Sequence, residues 1–283
     1  MEVVSSVKAT RQVKDSKLVD ADKIRDLVET LFGNDARAID PIGPIPFTYP
    51  FCWFKTPAIQ SAIFDSIDLD RWMVFHEAQD FIYQSTFNRG ARYDIEVTVV
   101  ETEGPPRQLR ISGSAVDDKG KEILRSRTIL RVVELKRAFQ PTTENPRADS
   151  PGPQDQLPVV GVYSTEAARI SRYLAATGDD NPIHHDVAVA RAAGLEGPII
   201  PGMFILGQFE RAIREWRPDA EIMRVNGRFL SPVCMPADLV IRRRLIRSAP
   251  SEGHIESVLR LCGGTLATPM ACIADAIVRC AEE

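Results

Sequence analysis

Residues 173–204 read YLAATGDDNPIHHDVAVARAAGLEGPIIPGMF, and the layout of the second half of the chain follows from them. The stretch opens on a helix whose Ile170, Tyr173, Leu174 and Thr177 share one face, with Ser164 or Thr165 as the expected cap and Gly178 as the stop. Asp179, Asp180, Asn181 and Pro182 are turn formers, so His184 falls on a loop between two helices, five residues after Asp179. The chain holds only four histidines, and two stand side by side here. A compact turn can aim one carboxylate and one imidazole at the same point. That is the minimum for adding or removing water by general acid–base catalysis, where positioned groups contribute about 10²–10⁴-fold. Asn181 can bond the backbone or the imidazole and hold the loop, which Pro182 stiffens. An Asx-rich turn that merely caps two helices would use the same residue types.

The same stretch ends in Pro198-Ile199-Ile200-Pro201-Gly202-Met203, an extended apolar run that turns into a helix expected over 203–213. A helix start offers N–H groups without intrahelical acceptors and the positive end of the helix dipole. Glycine there lets a ligand carbonyl approach the backbone, the arrangement that polarises a thioester as charge builds on its oxygen. A glycine chosen only for packing would look identical at this level.

Working outward, strand-like runs are expected at 224–230, 239–246, 255–262 and 269–279. Upstream, residues 141–158 read PTTENPRADSPGPQDQLP, too rich in proline for a helix or a central strand, and predict an exposed linker. The first half, residues 1–140, repeats the order of the second, residues 159–283. A helix carries Ile24, Leu27, Val28 and Leu31 on one face, capped by Asp20 or Asp22 and stopped by Gly33. Strands at 92–102, 108–116 and 123–133 follow, with Asp117-Asp118-Lys119-Gly120 as hairpin chemistry. Each half thus reads as a helix followed by antiparallel strands, an α+β architecture used twice.

Composition narrows the function classes. With 39 acidic against 35 basic side chains there is no overall attraction to nucleic acid or to an anionic membrane. No apolar run approaches the ~20 residues of a membrane span, and Met1–Val19 lacks the apolar core of a secretory signal. Five widely spaced cysteines, with no Cys-x-x-Cys pair, argue against a zinc ribbon or redox motif and fit a reduced, cytoplasmic setting. Cys262, Cys272 and Cys280 lie in apolar surroundings and read as small buried hydrophobes.

Gly178-Asp179-Asp180-Asn181-Pro182-Ile183-His184, with Tyr173 upstream and Ala190 downstream, resembles the signature of the MaoC-like (R)-specific enoyl-CoA hydratases. The likeness continues through Gly197–Met203 and Arg228–Val233 and covers most of 160–283. A looser likeness to the degenerate N-terminal domain of two-domain members lies in Val74–Gln79 and Phe87–Gly90, where no Gly-Asp-x-Asn-Pro-x-His occurs. The resemblance implies two fused hotdog domains, each a long helix wrapped by a curved antiparallel sheet, with one active site at their interface. It implies that Asp179 and His184 activate the water, that Asn181 orients them and that the Gly202 N–H serves as oxyanion donor. The substrate would be a coenzyme A or acyl-carrier-protein thioester. No metal or redox cofactor is implied, and a homodimer is an open expectation. Two positions depart from the family pattern: where members usually have histidine before the oxyanion glycine, this chain has Pro201, and, more mildly, Ala237 follows Pro236 where glycine is common.

Other readings use some of the same residues. His184-His185-Asp186 with Asp179 and Asp180 could form a metal cluster, although that class needs further ligands in an all-helical frame. Arg242-Arg243-Arg244 reads as a solvated strand edge or a contact for coenzyme A phosphates, and His76 as structural. Phe51, Trp53 and Phe54 read as core or as the wall of an acyl tunnel. A hotdog thioesterase, or a module that binds acyl thioesters without reacting, would share the fold.

Overall fold

The computed structural model of the chain describes residues 6–33, 45–104, 106–135, 157–251 and 253–282. The first half runs β1 (Ser6–Leu18), α1 (Ala21–Phe32), a 3-10 turn (Tyr49–Lys55), α2 (Pro57–Phe64), β2 (Trp72–Tyr83), β3 (Arg92–Glu103), β4 (Arg107–Val116) and β5 (Glu122–Glu134). The second runs β6 (Val159–Ser164), α3 (Ala167–Thr177), a 3-10 turn (Pro182–His184), α4 (Val187–Ala192), α5 (Gly202–Trp216), β7 (Glu221–Phe229), β8 (Asp238–Ser251), β9 (His254–Gly264) and β10 (Cys272–Ala281). All ten strands form one antiparallel sheet in the order β1-β3-β4-β5-β2-β7-β10-β9-β8-β6. Read inward from each edge, the halves give the same series, 1-3-4-5-2 and 6-8-9-10-7. They meet where β2 pairs with β7, from Ala78↔Arg228 to Ile82↔Arg224. This is a double hotdog.

Two expectations need correction. Among the described residues each half begins with a strand, not a helix. β1 (SVKATRQVKDSKL) is an edge strand with neither face fully buried, and the alternation of its charges masks its strand character. β6 is a six-residue edge strand. The cap of α3 is Glu166, which makes no side-chain cap bond. Ser164 ends β6, and the Thr165 hydroxyl is engaged by the backbone of Ala237. By contrast, Asp20 does cap α1, accepting from the N–H groups of Asp22 and Lys23. The expected linker 141–158 lies outside the described residues apart from 157 and 158.

The strands form because their alternation gives each one buried face: Tyr93, Ile95, Val97 and Val99 of β3 all point into the core. In the second half α5 lies across β8, β9 and β10, and buries Phe204, Leu206, Phe209 and Ile213. The inward residues of β10 beneath it are small: Cys272, Ala274, Ala276, Val278 and Cys280. The halves are also tied through helix ends. The last carbonyls of α1, Thr30 and Leu31, accept from Arg169 of α3, and Leu31 accepts also from Gln208 of α5. The helix of the first half that precedes β2 is α2. It has 8 residues against 15 in α5 and rests on β1 and β3. The inner face of β4, β5 and β2 packs in part against Phe54 of the 3-10 turn and against Phe47, while its Val74, Leu130 and Ile111 line a cavity. No helix among the described residues is long and apolar enough to cross a membrane.

Glu101 on β3 is wholly buried and accepts from Lys8, Arg107 and Ser66, tying three strands at the outer edge. Burial pushes its carboxyl up, but these partners outweigh burial and hold it at about 2, against an ordinary 4.5. A depressed folded-state value means the stabilisation is complete above the ordinary value and is lost as pH falls towards the folded one. Urea unfolding midpoints should therefore fall between pH 4.5 and about 2 in the wild type. Glu101→Gln should cost about 2–3 kcal/mol at neutral pH and flatten that dependence.

Candidate active site

Helix α3 ends at Gly178, whose φ of 71° reverses the chain in the left-handed region that glycine tolerates. The N–H of Asp179 still bonds the Leu174 carbonyl, and its carboxylate turns inward, 8 % exposed. Asn181 caps the next turn by accepting from the Ile183 N–H at 3.2 Å, with Pro182 at a first-turn position that needs no donor. Ile183 is buried in a satellite cluster with Met73, Ala190, Ala193, Leu195 and Ile199, which anchors the loop. His184 follows, its Nδ1 2.9 Å from the carbonyl of Ile199.

That contact settles the imidazole's tautomer. A carbonyl only accepts, so Nδ1 carries the hydrogen and Nε2 of the neutral ring presents a lone pair. Burial keeps the ring below its ordinary 6.5 despite the opposing pull of Asp179 and Ile199, so it is neutral at physiological pH. Nε2 stands 3.9 Å from Oδ2 of Asp179. This is too long for a direct hydrogen bond and suits one bridging water. The other carboxylate oxygen, Oδ1, accepts from the Lys55 ammonium at 2.7 Å. Burial alone would raise Asp179; Lys55 first, then His184, bring it below the ordinary carboxylate value. The loop thus offers a water two acceptors, one anionic and one neutral. Both O–H bonds would be engaged and an oxygen lone pair would point outward.

The segment 198–201 couples this pair to the start of α5. Its backbone bonds run from Ile199 N to Ile183 O and from Ile200 N to Val233 O, and Pro201 accepts from Phe204 and Ile205. Gly202 opens the helix, so its N–H has no intrahelical acceptor. The position a Cβ would take at Gly202 is filled by the Phe229 ring, 2.6 Å away, so the glycine is required by packing as well. Asp179, Asn181, His184 and Gly202 all line one cavity of about 1450 Å³, which also takes in residues of the first half. Of the two partners open to Asn181, the backbone or the imidazole, its side chain takes the loop backbone.

Two residues of the first half join the site. Lys55 was not singled out by sequence reading; its signal is a lone cation at the end of the apolar run Tyr49–Phe54, which must find a counter-charge or water. His76, expected to be structural, lines the same cavity between the rings of Phe51 and Phe229, with centroids 6.0 and 4.7 Å away. Its Nε2 is buried without a partner, and burial brings the ring down to about 4. Of the proposed metal cluster, Asp186 is engaged as the cap of α4, and His185 is exposed. Arg243 donates to the Ala212 carbonyl in α5 and lies over Trp216. None of Arg242, Arg243 and Arg244 lines the cavity.

Comparison with known proteins gives a consistent picture. Residues 143–255 match the family model described as MaoC like domain. Over 80 residues the chain is 38% identical to 3-hydroxyacyl-thioester dehydratase X of Mycobacterium tuberculosis, a match spanning 28% of either chain. It is 35% identical over 79 residues to the mitochondrial 3-hydroxyacyl-(acyl-carrier-protein) dehydratase of Arabidopsis thaliana, spanning 28% of this chain and 46% of that one. The matched stretch is thus less than half the length of either relative. A solved structure described as a MaoC-like dehydratase superposes with a TM-score of 0.71 at 17% identity, covering 97% of this chain and 98% of the other.

Proposed function

Because the chain carries a MaoC-like domain over residues 143–255 within a double-hotdog frame, we propose that it interconverts a trans-2-enoyl thioester and the (3R)-hydroxyacyl thioester by adding or removing water. One observation carries the reading: two hydrogen-bond acceptors 3.9 Å apart, Asp179 Oδ2 and His184 Nε2, share a cavity with the amide at the start of α5. In the hydration direction, a water held by both acceptors attacks C3 and gives up one proton to the pair. Negative charge moves to the thioester oxygen, where the Gly202 N–H can meet it. The proton then passes from the pair to C2, so oxygen and hydrogen arrive on the same face. Dehydration reverses each step. The thioester itself acidifies C2, so the reaction as proposed needs no metal and no redox cofactor.

The part of the first half's inner face that lines the cavity supports an acyl substrate. Cavity walls include Phe229 on β7, Val74 on β2, Leu130 on β5 and Ile111 on β4. Those strands are successive neighbours, so the apolar wall extends over three strand spacings, about 14 Å, from the helix-start amide. The carrier would be coenzyme A or acyl-carrier protein. A reduced, cytoplasmic setting belongs to the same proposal, supported by the free thiols of Cys52, Cys234, Cys272 and Cys280.

Crotonyl-CoA and a series of longer enoyl-CoAs test the proposal directly. Loss of the enoyl absorbance without release of free thiol is the expected result. Release of free thiol would establish a thioesterase instead, and binding without turnover across the series would establish a carrier module.

A further inference from the structure

The first half lacks the acid–base loop, yet it places a charge against the loop of the second. Lys55 ends the 3-10 turn Tyr49–Lys55, and its stem packs beside Gly178, where an added Cβ would lie 3.4 Å from the lysine Cβ. The ammonium stands 5.1 Å from the centre of the Phe51 ring and 2.7 Å from Asp179 Oδ1. The pair is secluded, with side chains 14 % and 8 % exposed. Two buried ions are costly to desolvate, and a contact of this kind is weak evidence for stability as such. Its position is more informative: the ammonium engages one carboxylate oxygen, and the other faces His184.

We propose that Lys55 is a positioning residue of the site. By engaging Oδ1 it fixes the rotation and charge of Asp179, so that Oδ2 alone remains to receive the proton of the attacking water. The inference rests on the hydration reading and extends it, since the first half then contributes to the chemistry and not only to the tunnel. The groups that face Asp179 are Lys55 from the 3-10 turn, His184 from its own loop, His76 from β2, Cys52 beside Lys55 and Tyr173 from α3. Burial lowers both imidazoles and raises the thiol and the phenol, so all four are neutral near pH 7. Lys55 is therefore the foremost of the groups that hold the carboxylate charged in a site whose burial favours the neutral acid.

The test compares wild type, Lys55→Met and Lys55→Arg, all full length. In Lys55→Met the acid limb of kcat/KM for an enoyl-CoA should move up by about one pH unit or more, with partial recovery in alkali. Turnover at pH 7 should fall about tenfold or more, with KM changed much less. Lys55→Arg should return the limb towards its wild-type position. A structural tie would lower the melting temperature and leave the limb where it was, which would overturn the proposal. A second readout does not depend on the reaction: the carbon-13 carboxyl resonance of Asp179, assigned with Asp179→Asn. Its titration should shift upward in Lys55→Met, and an unmoved titration would overturn the inference. Wild-type activity on enoyl-CoAs decides the hydration reading separately.

Discussion

Asp179→Asn and His184→Ala should each reduce kcat for hydration to about 10⁻²–10⁻⁴ of wild type, with circular dichroism spectra unchanged. The asparagine is nearly isosteric and can still accept from Lys55, so the end of α3 and the loop keep their shape. It is, however, a far weaker base than the carboxylate, and the bridging water would lose its anionic acceptor. His184→Ala removes Nε2 and the bond to Ile199, while Ile183 stays in its apolar cluster and retains the loop. The pH dependence has a definite sign. In the proposed mechanism activity needs an ionised Asp179 and a neutral His184. Both are held below their ordinary values, so wild-type activity should persist on acidification to below pH 6.5 before it falls. Retention of more than about a tenth of wild-type turnover in both variants would remove the pair from the mechanism.

The second large effect concerns the size of the substrate. Ile111→Trp places an indole on the inner face of β4, at the far side of the cavity from Phe229. A long enoyl chain that extends under β5 and β4 would meet it, while crotonyl-CoA would remain near the β2–β7 junction. The expected result is a fall of about 10–100-fold in kcat/KM for a long-chain enoyl-CoA, with crotonyl-CoA changed less than about threefold. Ile111 is buried, so added volume can also strain the sheet. Thermal melting therefore accompanies the assay, and the ratio between substrates, which is insensitive to the fraction folded, is the measured quantity. Equal losses on both substrates would show that the acyl chain takes another path.

Much of this was legible in the sequence. Gly178, Asp179 and Asn181 each have a local role, a helix stop, a polar turn residue and a cap, so their reading needed no tertiary information. Most interior strands were readable because one face of each is apolar, as in β3 and β10, but central β2 was not, since its burial does not alternate cleanly. The edge strands were not, since β1 buries neither face completely and β6 is short. Lys55 escaped for a different reason. Its partner is 124 positions away, and only the pairing of β2 with β7 determines that the two halves face each other there. Local patterns reveal what a residue does for its own segment; a contact across the molecule requires the topology.

The short helix of the first half has one more consequence. A folded domain normally completes its own interior, whereas this one leaves Val74, Leu130 and Ile111 facing a cavity. A fatty chain lying against β2, β5 and β4 would supply the missing packing atoms, much as an extra helix would. On the proposed function, substrate capture and the final consolidation of the protein would then be a single event, and the tightest guests would be those whose shape matches what the chain itself leaves out.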